Sequence, residues 1–227
     1  MNRIDTKYLI RRDVLYKLLW EMKDRYYVQE INGHRVSLYH TTYLDTENIA
    51  MYLAHQSGRR PREKIRLRSY IDTGQTFLEI KDKNNKGRTR KTRIPIEDIN
   101  QLQTADVQGF ITEKSHFSPG DIFPRLKNSF YRITLVNVEM TERLTIDLDI
   151  RFLNVYTQQA CKIEELVIVE LKQDGNYTSY AKKILSQHQI RPASISKYCL
   201  GSILTDDTIK YNRFKKKIRY INKLINT

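Results

Sequence analysis

Cysteine is scarce in this chain: Cys161 and Cys199 are the only two among 227 residues. Two thiols give no disulfide framework to read. No run of about eighteen apolar residues occurs, so a membrane-spanning helix is not expected, and the N-terminus lacks the apolar core of a secretory signal. Internal repeats and low-complexity linkers are absent as well. The expectation is a soluble, cytoplasmic chain, built at this length as one domain with helical additions rather than two. Acid is the other shortage: 26 Asp and Glu stand against 40 Lys and Arg, a formal net charge of +14. Such an excess implies an anionic partner, whether phosphate chains, nucleotides, nucleic acid or an acidic membrane surface.

The excess is concentrated between Lys64 and Ile96. Lys64, Arg66 and Arg68 alternate with Ile65 and Leu67, and Glu79, Lys81 and Lys83 alternate with Leu78, Ile80 and Asp82. Period two is the signature of a strand. Asp72-Thr-Gly74 and Asn84-Asn-Lys-Gly87 carry hairpin turn chemistry, so three consecutive antiparallel strands are expected, the third closed by Pro95. Charges on alternate strand residues ordinarily mark a wetted face. Here, however, Lys64, Arg66, Arg68, Lys81, Lys83, Arg88, Arg90 and Arg93 have little acid beside them beyond Glu79. Two cations roughly 6 Å apart at an effective dielectric near 20 repel by about 3 kcal/mol, so a bound polyanion is the better account of the cluster.

The rest of the chain supplies more strands of the same two-faced kind. Arg3 to Ile10 reads as a first strand, and Asp13 as the N-cap of a helix striped by Val14, Leu15, Leu18, Leu19 and Met22. Val36 to Asp45 is rich in β-branched and aromatic residues and ends at Tyr43-Leu-Asp-Thr46, where Tyr43 and Asp45 fix a turn and Thr46 caps a short helix through Ala54. Glu97 to His116 is weakly helical. Phe130 to Met140 and Arg143 to Leu153 form a second hairpin, in which Arg143, Thr145, Asp147 and Asp149 share a face, and Lys162 to Lys172 is one further strand. Helices are expected over Asn176 to Gln187 and Ser194 to Leu204. In the tail, Tyr211, Phe214, Ile218, Ile221 and Ile225 make an apolar stripe among Lys and Arg; packing on its own domain is the ordinary fate of such a stripe, and an anionic membrane the alternative. The fold class is therefore α+β. Helices need apolar surface to pack on, and charged strand faces need a place of their own. Both demands are met by a closed barrel of about eight antiparallel strands, with a basic lumen and helices outside.

Taken in order, Arg3-Ile-Asp-Thr-Lys-Tyr8, Tyr43-Leu-Asp-Thr46, Lys64-Ile-Arg-Leu-Arg68, Leu78-Glu-Ile-Lys81, Arg143-Leu-Thr-Ile-Asp-Leu-Asp149, Val169-Glu-Leu-Lys172 and Ser196-Lys-Tyr198 resemble the VTC domain. That domain is the catalytic part of the vacuolar transporter chaperone, a polyphosphate polymerase of the CYTH or triphosphate tunnel metalloenzyme superfamily. The resemblance spans residues 1–204 and leaves 205–227 as a basic amphipathic tail. It implies an eight-stranded tunnel that moves the terminal phosphate of ATP onto polyphosphate with a divalent metal, Mn2+ or Mg2+. By motif position, Lys7, Arg66, Arg68, Lys81, Arg143, Lys172 and Lys197 would line the tunnel, with Lys64, Arg90 and Ser196 as further substrate-binding candidates and Glu170 as the metal-binding carboxylate.

Elementary chemistry agrees, since phosphoryl transfer needs positioning and neutralisation of phosphate oxygens more than covalent help. Glu79, Asp147 and Asp149 are candidates to assist Glu170, although pairing with lumen arginines serves Asp147 and Asp149 equally well. Lys197 opposes the helix dipole at a helix start, a conflict that a bound phosphate would relieve. The superfamily's hydrolytic branch carries Glu-x-Glu-x-Lys on its first strand, whereas this chain has Arg3-x-Asp5-x-Lys7, which favours the polymerase branch over a triphosphatase. A non-catalytic polyphosphate- or nucleotide-binding module is the third reading. Nucleic acid is not expected as a partner, because inward cations leave no room for a duplex.

Overall fold

The computed structural model describes residues 3–175 and 178–226, so Asn176, the expected first residue of a helix, lies outside the described residues. Strand β1 (Arg3–Arg11) runs into helix α1 (Arg12–Met22), then β2 (Tyr26–Val28), β3 (Val36–Asp45) and α2 (Ala50–Ser57). The basic hairpin unit follows as β4 (Arg62–Tyr70), β5 (Gln75–Lys83) and β6 (Thr89–Ile96). A short 3-10 turn at Ile99–Gln103 and helix α3 (Ala105–Lys114) replace the single weak helix expected there. Two long strands, β7 (Phe123–Asn137) and β8 (Glu142–Asn154), lead to β9 (Ala160–Ile163) and β10 (Leu166–Asp174), and helices α4 (Tyr180–Gln187), α5 (Lys197–Leu204) and α6 (Lys215–Asn226) finish the chain. The strand expected over Lys162 to Lys172 is thus broken in two at Glu164-Glu165.

All pairings are antiparallel, in the order β1-β10-β8-β7-β3-β4-β5-β6, with β2 added to β7 and β9 to β8. The sheet has ten strands and is not a closed barrel: its edges, β1 and β6, make no ladder with each other. Like charges meet across the opening: Lys7 on β1 helps to lower the pKa values of Lys64 on β4 and Lys83 on β5, after burial and the nearer arginines. The sheet curls without sealing and leaves a seam.

Three apolar clusters fix that curl. On one outer face Ile10, Leu144, Ile146, Val167, Val169 and Leu171 pack against Leu15 and Leu18 of α1 and Ile184 and Leu185 of α4. On another, Ile65, Leu67, Leu78 and Ile80 pack against Val107 and Ile111 of α3. Each fully buried Leu or Ile contributes roughly 1.5–3 kcal/mol, so the period-two apolar residues of the basic strands bind the helices while their charged neighbours turn inward. The third cluster lies on the concave face, where Leu9, Phe130, Ile150, Phe152 and Ile168 meet Tyr198, Cys199 and Leu200 of α5. Gly201 marks the tightest approach: a Cβ there would stand 2.4 Å from Phe152 Cδ1 and 2.6 Å from Leu126 Cδ2. Helix α5 is therefore the floor of the concave face.

The tail stripe packs on this same cluster, with Ile221 buried and Phe214, Ile218, Leu224 and Ile225 partly so. No helix among the described residues is long and apolar enough to cross a membrane. Helix capping departs from expectation at Asp13, which lies in the first turn of α1 rather than at its N-cap. At α2 Asp45 takes the larger part, its carboxylate accepting from the backbone N–H of Thr46, Met51 and Tyr52 at 2.7–2.9 Å, while Thr46 Oγ1 accepts from Ala50.

Candidate functional site

Above the α5 floor the concave face is charged. On its β4–β6 side, Arg66 donates to Glu79 Oε2 through Nε at 2.8 Å and Nη2 at 2.5 Å, and Lys91 pairs with the other carboxylate oxygen. Glu79 is fully buried, a cost to its charged form, yet Arg66, Arg68 and Lys91 hold its pKa down at about 2. One carboxylate cannot satisfy this company. Arg68 is buried and among the described residues makes no hydrogen bond or ion pair, standing over the rings of Tyr39 and Phe130 at 5.7 and 6.0 Å, with its pKa lowered by burial and by Arg66 to about 10. Lys81 is driven down to about 6, first by the charge of Arg66 and then by burial and Arg68. Lys64 Nζ donates to Ser196 Oγ at 2.9 Å, and Arg93 lies 4.3 Å from the Phe77 ring.

The facing side is better compensated. Lys7 Nζ donates to Glu170 Oε1 at 2.8 Å across the β1–β10 pair, and despite burial Lys7 and Lys172 keep Glu170 at about 2. Asp147 receives Arg132 through two hydrogen bonds of 2.6 and 2.8 Å and also pairs with Lys197 from α5; together these hold its carboxyl well below the usual range against the cost of burial. Arg143 and Lys172 are register partners on the same face. At the seam, Asp5 and Lys7, Lys64, Lys81 and Lys83, Glu170 and Ser196 surround a cavity of about 500 Å³. Three further polar atoms, Thr41 Oγ1, Asn128 Oδ1 and Thr145 Oγ1, are buried on this face without hydrogen-bond partners.

A model of the VTC domain matches residues 2–205. The chain belongs to the VTC domain family. Among solved structures this VTC domain is similar to a candidate adenylate cyclase of Bacillus halodurans, at 14% identity over 86% of this chain and 96% of that one, with a TM-score of 0.53. It is similar also to a candidate adenylyl cyclase of Hippeastrum with a dominant triphosphatase activity, at 15% identity over 87% and 94%, with a TM-score of 0.51. At such identities the likeness establishes the fold alone. No curated protein matches the chain.

Most of the residues expected from the motifs meet on the concave face of this VTC domain: Lys7, Lys64, Arg66, Arg68, Lys81, Arg143, Glu170, Lys172 and Lys197, with Ser196 as the N-cap of α5. Arg90 does not. It stands opposite Asp82 in the β5–β6 ladder, whereas Lys81 stands opposite Lys91, so Arg90 points to the outer face and Lys91 and Arg93 inward. Nor does Asp149, which adopts a left-handed backbone (φ +50°) at an irregularity in the β7–β8 ladder and pairs with Arg12 at 2.7 Å. Lys91 and Arg132 were missed. Arg132 was legible in principle, since it alternates in phase with Thr134 on a strand whose outer face is apolar.

A divalent cation of the kind the family implies would find its donor in Glu170. Mg2+-like ions bind through one or two carboxylates with substrate phosphates completing the shell, and Glu170 and Asp5, both at the seam cavity, offer such a set. Both carboxylate oxygens of Glu79 and of Asp147 are taken by cations, which leaves neither as a ready ligand, whereas among the described residues Glu170 is paired through Oε1 alone. A second group of possible metal donors, Glu63, Asp82 and His116, lies on the opposite, outer face of β4 and β5.

Proposed function

We propose that this VTC domain takes the triphosphate of ATP into the basic cavity and transfers the terminal phosphoryl group onto a polyphosphate chain. The coarser part of the reading, an enzyme acting on triphosphates, rests on family membership and on the concave cations together. The observation that carries it is Arg68: a buried guanidinium with no acidic partner, beside an ion-paired Arg66, is costly in the free protein and suited to a phosphate oxygen. In the transfer, the bond from the terminal phosphorus to its bridging oxygen breaks, ADP leaves with that oxygen, and an oxygen of the acceptor phosphate forms the new bond. Arg66, Arg68 and Lys81 would grip the equatorial oxygens, and Lys64, Lys197 and Ser196 would orient the chain from the floor. Mn2+ or Mg2+ held by Glu170 would neutralise charge on the bridging oxygens. A cytoplasmic setting, with ATP at hand, fits this activity.

Purified protein given ATP with Mn2+ or Mg2+ should produce chains resolved on a polyacrylamide gel together with ADP. Orthophosphate release without chain growth would select the second reading, a triphosphatase, the activity described for the Hippeastrum protein of similar fold. Binding without either product would leave a polyphosphate-binding module.

A further inference from the structure

We propose that linear polyphosphate leaves the cavity through the open seam and lies in a second, external groove formed with the C-terminal helix; the inference rests on the reading of the cavity as a phosphate-chain site. The groove, about 1390 Å³, runs along β1 past Thr6 and Tyr8, between α4, the segment 189–195 and α6. It adjoins the seam cavity, since Ser194, Ile195 and Lys217 line both. Its charge has one sign: Lys182, Arg191, Lys216 and Lys217 line it, and no carboxylate does among the described residues. Among the described residues Lys182, Arg191 and Lys216 make no ion pair, in contrast to the half of the cavity that holds Glu170 and Asp147. Serine and tyrosine hydroxyls, from Ser186, Ser194 and Tyr220, add neutral donors.

Unopposed cations in a walled groove focus a positive potential and draw in a flexible polyanion. A triphosphate fills only the cavity, whereas a long chain spans cavity and groove together. The two lie in series, so the groove selects for chain length rather than for the triphosphate itself. Helix α6 lies beyond the family match at residues 2–205, whereas Lys182 and Arg191 lie within it.

The test uses the full chain and two probes, tripolyphosphate and long-chain polyphosphate, with the double variant Arg191→Glu/Lys216→Glu and, on a different element, Lys182→Glu. Expected is a loss of about tenfold in long-chain affinity for the double variant, a shallower dependence on salt, and a smaller loss for Lys182→Glu, with tripolyphosphate affinity and melting temperature unchanged. Wild-type protein that binds both probes, with variants that still hold the long chain at full affinity, would overturn the groove and leave the cavity intact. Wild-type protein that binds neither probe would overturn the cavity reading and the groove with it. Equal loss of both probes overturns the groove, since the substitutions then act on the cavity. Loss of binding to phosphatidylserine vesicles with long-chain affinity intact would make the groove a membrane contact and overturn the proposal.

Discussion

The two sides of the concave face carry the same sign of charge and resolve it differently. On the side of β1, β8 and β10, with Lys197 of α5, cations meet carboxylates in tight pairs: Lys7 with Glu170, and Arg132 and Lys197 with Asp147. On the β4–β6 side Lys64, Arg66, Arg68, Lys81, Lys91 and Arg93 share Glu79 alone. Lys81 records the imbalance, its pKa lowered to about 6 by Arg66 first and then by burial and Arg68. A paired side has its counter-charge built in. An unpaired side is incomplete until an anion arrives. On the function proposed above, phosphate grip would fall to one wall and metal to the other, with substrate as the missing counter-charge.

The largest effect should come from the paired wall. Glu170→Gln keeps the shape of the side chain and removes its charge, and we expect metal-dependent turnover to fall by about a thousandfold or more while tripolyphosphate binding, followed by calorimetry, stays within a few-fold. Turnover that survives the change would shift the metal to other donors and dissolve the comparison.

Next come two arginines that should respond in opposite senses. Arg68→Ala deletes a buried, unpartnered cation: tripolyphosphate affinity should drop about a hundredfold, the loss of one or two charge-assisted hydrogen bonds, with the melting temperature of the free protein unchanged or raised. Arg132→Ala strips Asp147 of its bidentate partner, and unfolding free energy by denaturant titration should fall by about 3 kcal/mol. Equal destabilisation by both substitutions would mean that the two walls are not compensated differently after all.

Much of this arrangement was legible in the sequence, and the failures have physical causes. Period-two alternation placed Lys64, Arg66, Arg68 and Lys81 correctly because both β4 and β5 run without irregularity from turn to turn. The same rule failed at Asp149, where an extra residue in β8 turns the side chain to the other face, a shift that only the partner strand reveals. Arg88, Arg90 and Arg93 could not all share a face; the length of the Asn84–Arg88 turn chose Arg93 and turned Arg90 away. Lys197 was read as a cation awaiting phosphate, yet Asp147 relieves its conflict with the helix dipole in the free protein. Barrel closure is the least local property of all. It depends on whether the two edge strands, β1 and β6, can approach, and the like charges of Lys7 and Lys83 meet only in three dimensions.

A smaller effect, on pH, sharpens the contrast further. Lys81 has a folded pKa near 6, below its unfolded value, so between the two the unfolded chain holds the proton more readily. The free protein therefore gains stability from this group as pH rises through that range. A bound triphosphate favours the charged lysine, so binding takes up a proton, and affinity should weaken as pH climbs from 6 towards 9. Lys64 and Lys197, each lowered to about 8 chiefly by burial, add to the upper part of the slope. Calorimetry in buffers of differing ionisation enthalpy should detect the uptake, and Lys81→Met should flatten the acid end of the curve. Proton release on binding would contradict the charge imbalance itself.

The smallest effect is expected at Arg90, and its smallness is the point. Arg90 has the composition of a phosphate ligand and the sequence neighbourhood of one, but it stands opposite Asp82 on the outer face, a sheet's thickness from Lys81 and Lys91. Arg90→Ala should leave tripolyphosphate affinity within a factor of about two, the range of a screened surface charge, while Lys91→Ala, one residue along, should weaken it by more and disturb Glu79. If the two substitutions weaken binding alike, net charge rather than the facing of each side chain governs the interaction, and a surface-bound polyanion replaces the cavity as its explanation.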